Sequence, residues 1–334
     1  MSDPSLAGLS DDLLFMTVLL YALAMLAFAG EQASRRSFRL AEAAATGSSL
    51  RAATAERTRV MAGAGGPPAP EPPAPVVPAG RSSRAGAVGL AVTGLGAVLH
   101  VGSVVTRGLA ADRVPWGNMY EFSSAVALSV VLIFLVLVAA GKVDRGLGAF
   151  LMVPVVLYLG LAATVLYTAA GPLVPALDSY WIKIHVFAAV LSSGAFLLSG
   201  ILALLYLLRS RFDDQVGAGR APRFPVSIAS ALPSAPSLDR VTYAVIAFAF
   251  PIWTFAIIAG AIWAESAWGR YWGWDPKETW SFITWVLYAG YLHARATAGW
   301  KGTKAAWIAV AAAVALIVDY YVVNIFVVGF HSYA

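Results

Sequence analysis

Runs of roughly 20 apolar residues, each long enough to cross the hydrocarbon core of a bilayer as a helix, recur along this chain of 334 residues. In lipid every backbone N–H and C=O must find its partner within the protein, so such runs fold as helices or as strands of a closed barrel. These runs are too long for barrel strands and lack their alternation. Composition agrees: 59% of residues are hydrophobic and 12% charged, against about 25% charged in soluble domains, and mean hydropathy is +0.73. The fold class is an all-α, polytopic membrane helix bundle. The pattern predicts about eight transmembrane helices, near 12–30, 85–106, 119–141, 147–170, 181–208, 241–263, 280–298 and 305–329.

Basic residues set the orientation, because cytoplasmic loops collect Lys and Arg. With the N-terminus outside, the inner segments 31–84, 142–146, 209–240 and 295–304 hold 18 of the 23 basic residues. Arg107, Arg113, Lys183, Arg270 and Lys277 are the other five. Both termini are therefore expected to be extracytoplasmic. Asp3, Asp11 and Asp12 precede the first run where a cleaved signal peptide would carry positive charge, so residues 1–30 read as a transmembrane helix. Residues 31–84 read as a cytoplasmic disordered linker around the Pro/Ala/Gly stretch at 61–80, whose prolines oppose a helix. Residues 209–240 read as a second loose loop, and residues 85–334 as the functional membrane domain. The basic residues lie scattered in short loops, which argues against nucleic acid as a partner. No cysteine is present, which excludes disulfides, thiolate metal ligands and a thiol nucleophile.

The stretch WGRYWGWDPKETW, Trp268 to Trp280, is unlike its surroundings. It carries four of the eleven tryptophans together with two acids and two bases. An interfacial aromatic belt explains scattered tryptophans but accounts poorly for this density among charges. Trp268, Trp272, Trp274 and Trp280, preceded by Trp263, can form a platform for a large flat apolar ligand, and Arg270 and Lys277 can meet its carboxylates. Four histidines are present: His100, His185, His293 and His331. A lone histidine in a span also serves as a helix-packing hydrogen-bonder, and that reading stays open for each. Topology nevertheless places His185, one turn inside the fifth span, and His331, just past the eighth, at the level of the tryptophan-rich loop. Two histidines beside flat aromatic surface match what a bis-histidine haem site requires.

Five segments together resemble the System II cytochrome c biogenesis family of the CcsA/ResC type (CcsB in some lineages), within the wider group of haem-handling proteins with a WWD motif. They are WGRYWGWDPKETW within the loop 264–280, SYWIKIHV at 179–186, GFHSYA at 329–334, YLHARA at 291–296 and PWGNMYEF at 115–122. The continuation DPKETW and the terminal His-Ser-Tyr fit this version better than the shorter haem-delivery and longer haem-lyase relatives of System I. The resemblance covers about residues 100–334 and implies haem b as cofactor. It implies that His185 and His331 ligate haem iron on the outer face. The site there would include Trp268, Trp272, Trp274, Asp275, Trp280, Arg270 and Lys277. It implies that His293, about 20 Å below the outer surface at about 1.5 Å per residue, ligates haem arriving from the cytoplasmic side, with a second ligand from a ResB-type membrane subunit.

The function implied is haem transport across the plasma or inner membrane and presentation to apocytochrome c for thioether attachment at a Cys-x-x-Cys-His segment. The chain would be a subunit of a synthetase, with no acid or base visible in the sequence. The alternative is a bis-histidine electron-transfer subunit that oxidises quinol, which would place paired histidines at two matched depths. His100 lies about 10 Å deep by the same helical rise, offset from His293, and favours a structural role. Asp319, an acid within the eighth span, requires a donor or a proton. Glu121 either shapes the external site or serves as a helix-start acid.

The charge asymmetry yields a direct test. A reporter fused at the C-terminus is expected to be active only if it functions outside the cytoplasm, whereas one fused within 61–80 is expected to need the cytoplasm. The reverse pattern would overturn the orientation.

Overall fold

The computed structural model describes residues 3–61, 80–172 and 179–331, with side chains at 3–34, 84–172 and 179–331. Every regular element among them is helical. The order is α1 (Pro4–Met61), α2 (Gly80–Ala111), α3 (Met119–Ala139), α4 (Gly148–Val165), α5 (Tyr180–Gly217), α6 (Ala235–Trp268), α7 (Pro276–Thr297) and α8 (Thr303–Ile317). The last helix continues through a π-helical turn, Val318–Val323, into a short turn at Asn324–Phe326.

Among the described residues, seven helices are long and apolar enough to cross a membrane. The eighth expected crossing, α7, lacks that apolar composition, since its sequence carries Lys277, Glu278, His293 and Arg295. Its contacts nonetheless run the length of α6. At one end Asp275 meets the chain terminus beside the tryptophan-rich loop. At the other, Arg295 pairs with Asp239 at the start of α6 at 2.7 Å. Between them Trp285 Nε1 donates to Thr254 Oγ1 at 2.9 Å, and Tyr288 stacks on Phe196 of α5 with ring centroids 3.6 Å apart. Arg295, Trp285 and the Asp275 cap of α7 are thus matched to partners inside the bundle, while His293 is exposed.

Two expected linkers differ from the structure. The helix α1 continues to Met61, where a disordered segment from residue 31 is expected. The reason is local: 31–61 contains no proline and is rich in Ala, Arg, Glu and Leu, all strong helix formers. Most of the proline-rich stretch lies in 62–79, outside the described residues. In 209–240, α5 extends to Gly217. Arg209 then ties the following segment down, donating to the carbonyls of Ala229 and Leu232 at 3.2 and 2.8 Å. This loop is held by its own arginine.

The pair α1 and α2 packs closely because small residues face large ones. A Cβ at Gly96 would lie 2.7 Å from the Tyr21 ring, so only glycine allows the approach. His100 sits in this layer, fully buried. Its Nδ1 is 3.4 Å from Tyr21 Oη and its Nε2 is 3.0 Å from Ser124 Oγ, so it joins α1, α2 and α3. Both ring nitrogens are engaged in helix packing, in keeping with a structural role.

Glu121 is the main polar node at the loop end of the bundle. Its carboxylate accepts from Arg107 Nε at 3.1 Å, from Arg113 Nη1 and Nη2 at 2.7 and 3.0 Å, and from Gly117 N at 2.9 Å. Asn118 caps α3 by accepting from Glu121 N at 2.9 Å. Arg107 also donates to Thr168 O, beyond α4. The residue therefore joins α2, the connecting loop and α3, and its charge is neutralised within the cluster. Removing one partner of a buried ion pair leaves the others uncompensated and costs roughly 3–5 kcal/mol. Loss of an N-cap costs about 1 kcal/mol. Glu121→Ala is therefore expected to lower the midpoint of thermal unfolding in detergent far more than Asn118→Ala. Equal shifts would refute the cluster's structural weight.

Candidate haem site at the tryptophan-loop end

A cavity opens at the loop end, between α3, α5, α6, α7 and the end of α8. His185 reaches it from the first turns of α5. Its Nδ1 lies 2.7 Å from the carbonyl oxygen of Ala256 on α6. One turn further along α6, Gly260 makes room for the ring, since a Cβ there would lie 2.7 Å from the same nitrogen. Trp263, almost fully buried, lies nearly parallel to the His185 ring, at 6.5 Å and 10°.

His331 approaches from the chain's C-terminal end, where α8 has loosened into the π turn. Its Nδ1 is 2.9 Å from Asp275 Oδ2, and its ring meets Trp263 and Trp268 edge-on at 5.8 and 4.8 Å. The two histidines, far apart in sequence, therefore both contact one tryptophan. Both line the cavity.

The residues Asp275-Pro276-Lys277-Glu278 fold as a helix start. Asp275 is the N-cap of α7, Pro276 occupies the first helical position, and Glu278 closes a capping box. Glu278 Oε2 accepts from Asp275 N at 3.0 Å and from Gly273 N at 2.8 Å, while its other oxygen pairs with Arg270 at 3.4 Å. Asp275 additionally accepts from Phe330 N at 2.8 Å. Burial alone would raise the Asp275 carboxyl. The bonds from His331, Phe330 and Lys277 N–H outweigh it and hold the group below its ordinary value. Much of the charge in the loop thus serves to fold it and to dock the chain terminus on it. The signal was present as Asp-Pro-x-Glu ahead of an apolar helix, a capping box by spacing.

The tryptophans do not form a single flat platform. Trp272 lies on the cavity wall together with Tyr271. Trp268 stands behind, bracing His331 and Phe330. Trp274 is 63% exposed, with φ +58°, and meets Trp272 at right angles at 5.6 Å. Trp274 and Trp280 are absent from the cavity wall. The two cations separate as well. Lys277 is on the wall, donating to Asp319 O at 3.1 Å. Arg270 lies over the Phe330 ring at 4.8 Å and is engaged by Glu278.

Other wall residues lie outside the tryptophan-rich loop, Trp116 among them within PWGNMYEF. Trp116, Trp253, Tyr158 and Tyr320 come from four different elements and meet only in the folded bundle. Asp319 is buried on the same wall, and its Oδ1 has no hydrogen-bond partner among the described residues. Its neighbour is Lys277, and His100 is engaged elsewhere. His293 lies apart from the cavity, exposed on α7.

The donor set suits haem. A metal-ligating imidazole usually has its second nitrogen fixed by a carbonyl or carboxylate, and His185 and His331 have each Nδ1 so fixed, which directs Nε2 to a ligand. Bare transition-metal sites take three or four protein ligands, and among the described residues no cluster of three His, Cys, Asp or Glu is built. The wall is chiefly apolar and aromatic, with Lys277 as a cation and with buried polar atoms of Trp116 and Asp319 that have no hydrogen-bond partner among the described residues.

Comparison with known proteins gives the family. The sequence pattern of the family described as Cytochrome C assembly protein matches residues 116–331, from the wall tryptophan Trp116 to His331. A cytochrome c biogenesis protein CcsA from Guillardia theta is 37% identical over 240 residues, covering 68% of this chain and 79% of that protein. CcsA from Microcystis aeruginosa is 35% identical over 290 residues, covering 74% and 87%. CcsA from Gloeobacter violaceus is 33% identical over 285 residues, covering 71% and 83%. This chain, a multi-pass membrane protein of cytochrome c biogenesis, belongs to the cytochrome c assembly family and, within it, to the CcsA type.

Proposed function

We propose that this protein carries haem b across the plasma or inner membrane and presents it to apocytochrome c, as a subunit of a System II synthetase. The observation that carries the reading is that His185 and His331 line one cavity, each with Nδ1 anchored and each in ring contact with Trp263. Haem, when bound, would supply iron for imidazole ligation and the vinyl groups to which the substrate's thiols add. His185 and His331 hold it, Trp263 fixes the pose of both rings, and Trp272 and Tyr271 cover the site. Lys277 offers a cation to a carboxylate. The chain has no cysteine, so both thiols come from the apocytochrome. Its contribution to rate is positioning, which by itself lowers barriers substantially.

His293 extends the reading inward. It sits on the exposed side of α7, in keeping with a ligand that waits for a partner's imidazole. A ResB-type membrane subunit is the proposed donor. The electron-transfer alternative needs two histidine pairs at matched depths, and the engagement of His100 with Tyr21 and Ser124 speaks against a second pair.

Three outcomes are expected. First, the complex purified with its membrane partner has the optical spectrum of low-spin bis-histidine haem, and a colourless preparation with all subunits present would overturn the reading. Second, His185→Gly and His331→Gly each lose most cytochrome c maturation and regain part of it with added imidazole, whereas His100→Gly gains nothing from imidazole. Normal spectra and maturation in both variants without imidazole would place the site elsewhere. Third, Gly260→Ala crowds the His185 ring and is expected to lower retained haem, measured by pyridine haemochrome assay, without lowering the amount of protein. Unchanged haem content would contradict the close approach.

A further inference from the structure

His185 and His331 face one cavity with unlike backing. The acceptor behind His185 is a neutral backbone carbonyl, Ala256 O, at 2.7 Å. The acceptor behind His331 is a carboxylate oxygen of Asp275, at 2.9 Å. Hydrogen bonds to an ionised acceptor are about twice as strong as neutral ones, and a carboxylate behind a ligating imidazole raises its basicity. The carboxylate is itself immobilised: Phe330 N donates to Oδ1 at 2.8 Å and Lys277 N to Oδ2 at 3.3 Å. Close packing adds to the difference. His331 is wedged edge-on between Trp263 and Trp268, while a Cβ at Gly329, two residues before it, would lie 2.7 Å from Asp275 Oδ1. The chain end is thus pressed onto the carboxylate. His185 lies over Gly260 with its ring spaced 6.5 Å from Trp263.

Resting on the haem-presenting reading above, we propose that the two imidazoles are unequal ligands. His331 is the one retained, and His185 is the one that yields to an incoming imidazole. Asp275 is the positioning residue that sets the difference, acting through His331. The exchange would balance: one neutral imidazole nitrogen would leave the iron as another takes its place, with no electron or proton transferred. The incoming group is the histidine of the substrate's Cys-x-x-Cys-His segment, which therefore approaches from the α5–α6 side of the cavity. On the opposite side Phe330 and His331 are docked on Asp275.

The inference is tested on the complete membrane complex. His185→Gly and His331→Gly are each titrated with imidazole, 4-methylimidazole and 1-methylimidazole, followed by the Soret band. Only 1-methylimidazole lacks an N–H to donate, and 4-methylimidazole controls for its bulk. In His331→Gly the vacated space adjoins Asp275, so the N–H ligands are expected to bind about tenfold tighter than 1-methylimidazole, as an added charge-assisted hydrogen bond implies. In His185→Gly, where the acceptor is a carbonyl, the preference is expected to be several-fold smaller. Adding Asp275→Asn to His331→Gly is expected to abolish most of the preference. Asp275→Asn alone is expected to raise the haem reduction potential, a change that a purely structural cap would not produce.

Equal preferences in the two glycine variants would overturn the inference. So would a preference in His331→Gly that survives Asp275→Asn. The glycine variants leave the Asp275 cap intact, so the first comparison stands even if Asp275→Asn fails to fold. Absence of haem from the wild-type complex would instead overturn the haem-presenting reading itself. A haem-bearing wild type with indistinguishable ligands would overturn this inference alone.

Discussion

The carboxylate of Asp275 joins three parts of the molecule that have no other reason to meet. It caps α7 and accepts from the Phe330 N–H and the His331 ring. Each oxygen is engaged, and the group is buried. In a site of low dielectric such bonds are stronger than in water, and an unpaired carboxylate would be costly. The geometry of the cavity follows from it. The cap sets where α7 begins, the start of α7 places Lys277 on the wall, and the docked terminus brings His331 beside Trp263 and opposite the His185 ring.

The other ionic groups of the bundle obey the same rule. Glu121 is neutralised by Arg107 and Arg113, Asp239 by Arg295, and Glu31 by Arg145. Each pair lies near a helix end or a loop, where two or more elements can be tied together for one desolvation cost. Asp319 carries an oxygen with no hydrogen-bond partner among the described residues, and it lines the cavity beside Lys277. The π turn that carries it departs from regular α geometry. Such turns recur at functional sites. Buried polar atoms with no hydrogen-bond partner among the described residues occur on the cavity wall, at Trp116 and Asp319, and also away from it, at Gln32 and Thr284.

Reading the spans worked where the physics is one-dimensional. Apolar length alone located seven helices, because a membrane helix satisfies its own backbone and needs no partner to form. It served less well for α7, whose polar side chains depend on Asp239, Thr254 and the C-terminal segment. It also shortened α1 and α5. Charged, alanine-rich helix continues beyond the lipid in α1, where propensity and not hydropathy decides. In the same way, His185 and His331 could be placed at one level from topology, yet their hydrogen-bond partners belong to α6 and to the cap of α7.

The sequence by itself determined the helical membrane class, the family, the two histidines and the importance of the tryptophan-rich loop. These properties are carried by apolar run length and by motifs, which are local in the chain. The tertiary structure alone decided the division of labour within the loop. Trp272 lines the cavity, Trp268 braces His331, and Trp274 points outward. Arg270 is bound to Glu278 while Lys277 reaches the wall. It also decided that one histidine is backed by a carbonyl and the other by a carboxylate. The physical reason is that a side chain's direction and its hydrogen-bond partner depend on which helices pack together, and packing joins residues that the sequence keeps far apart.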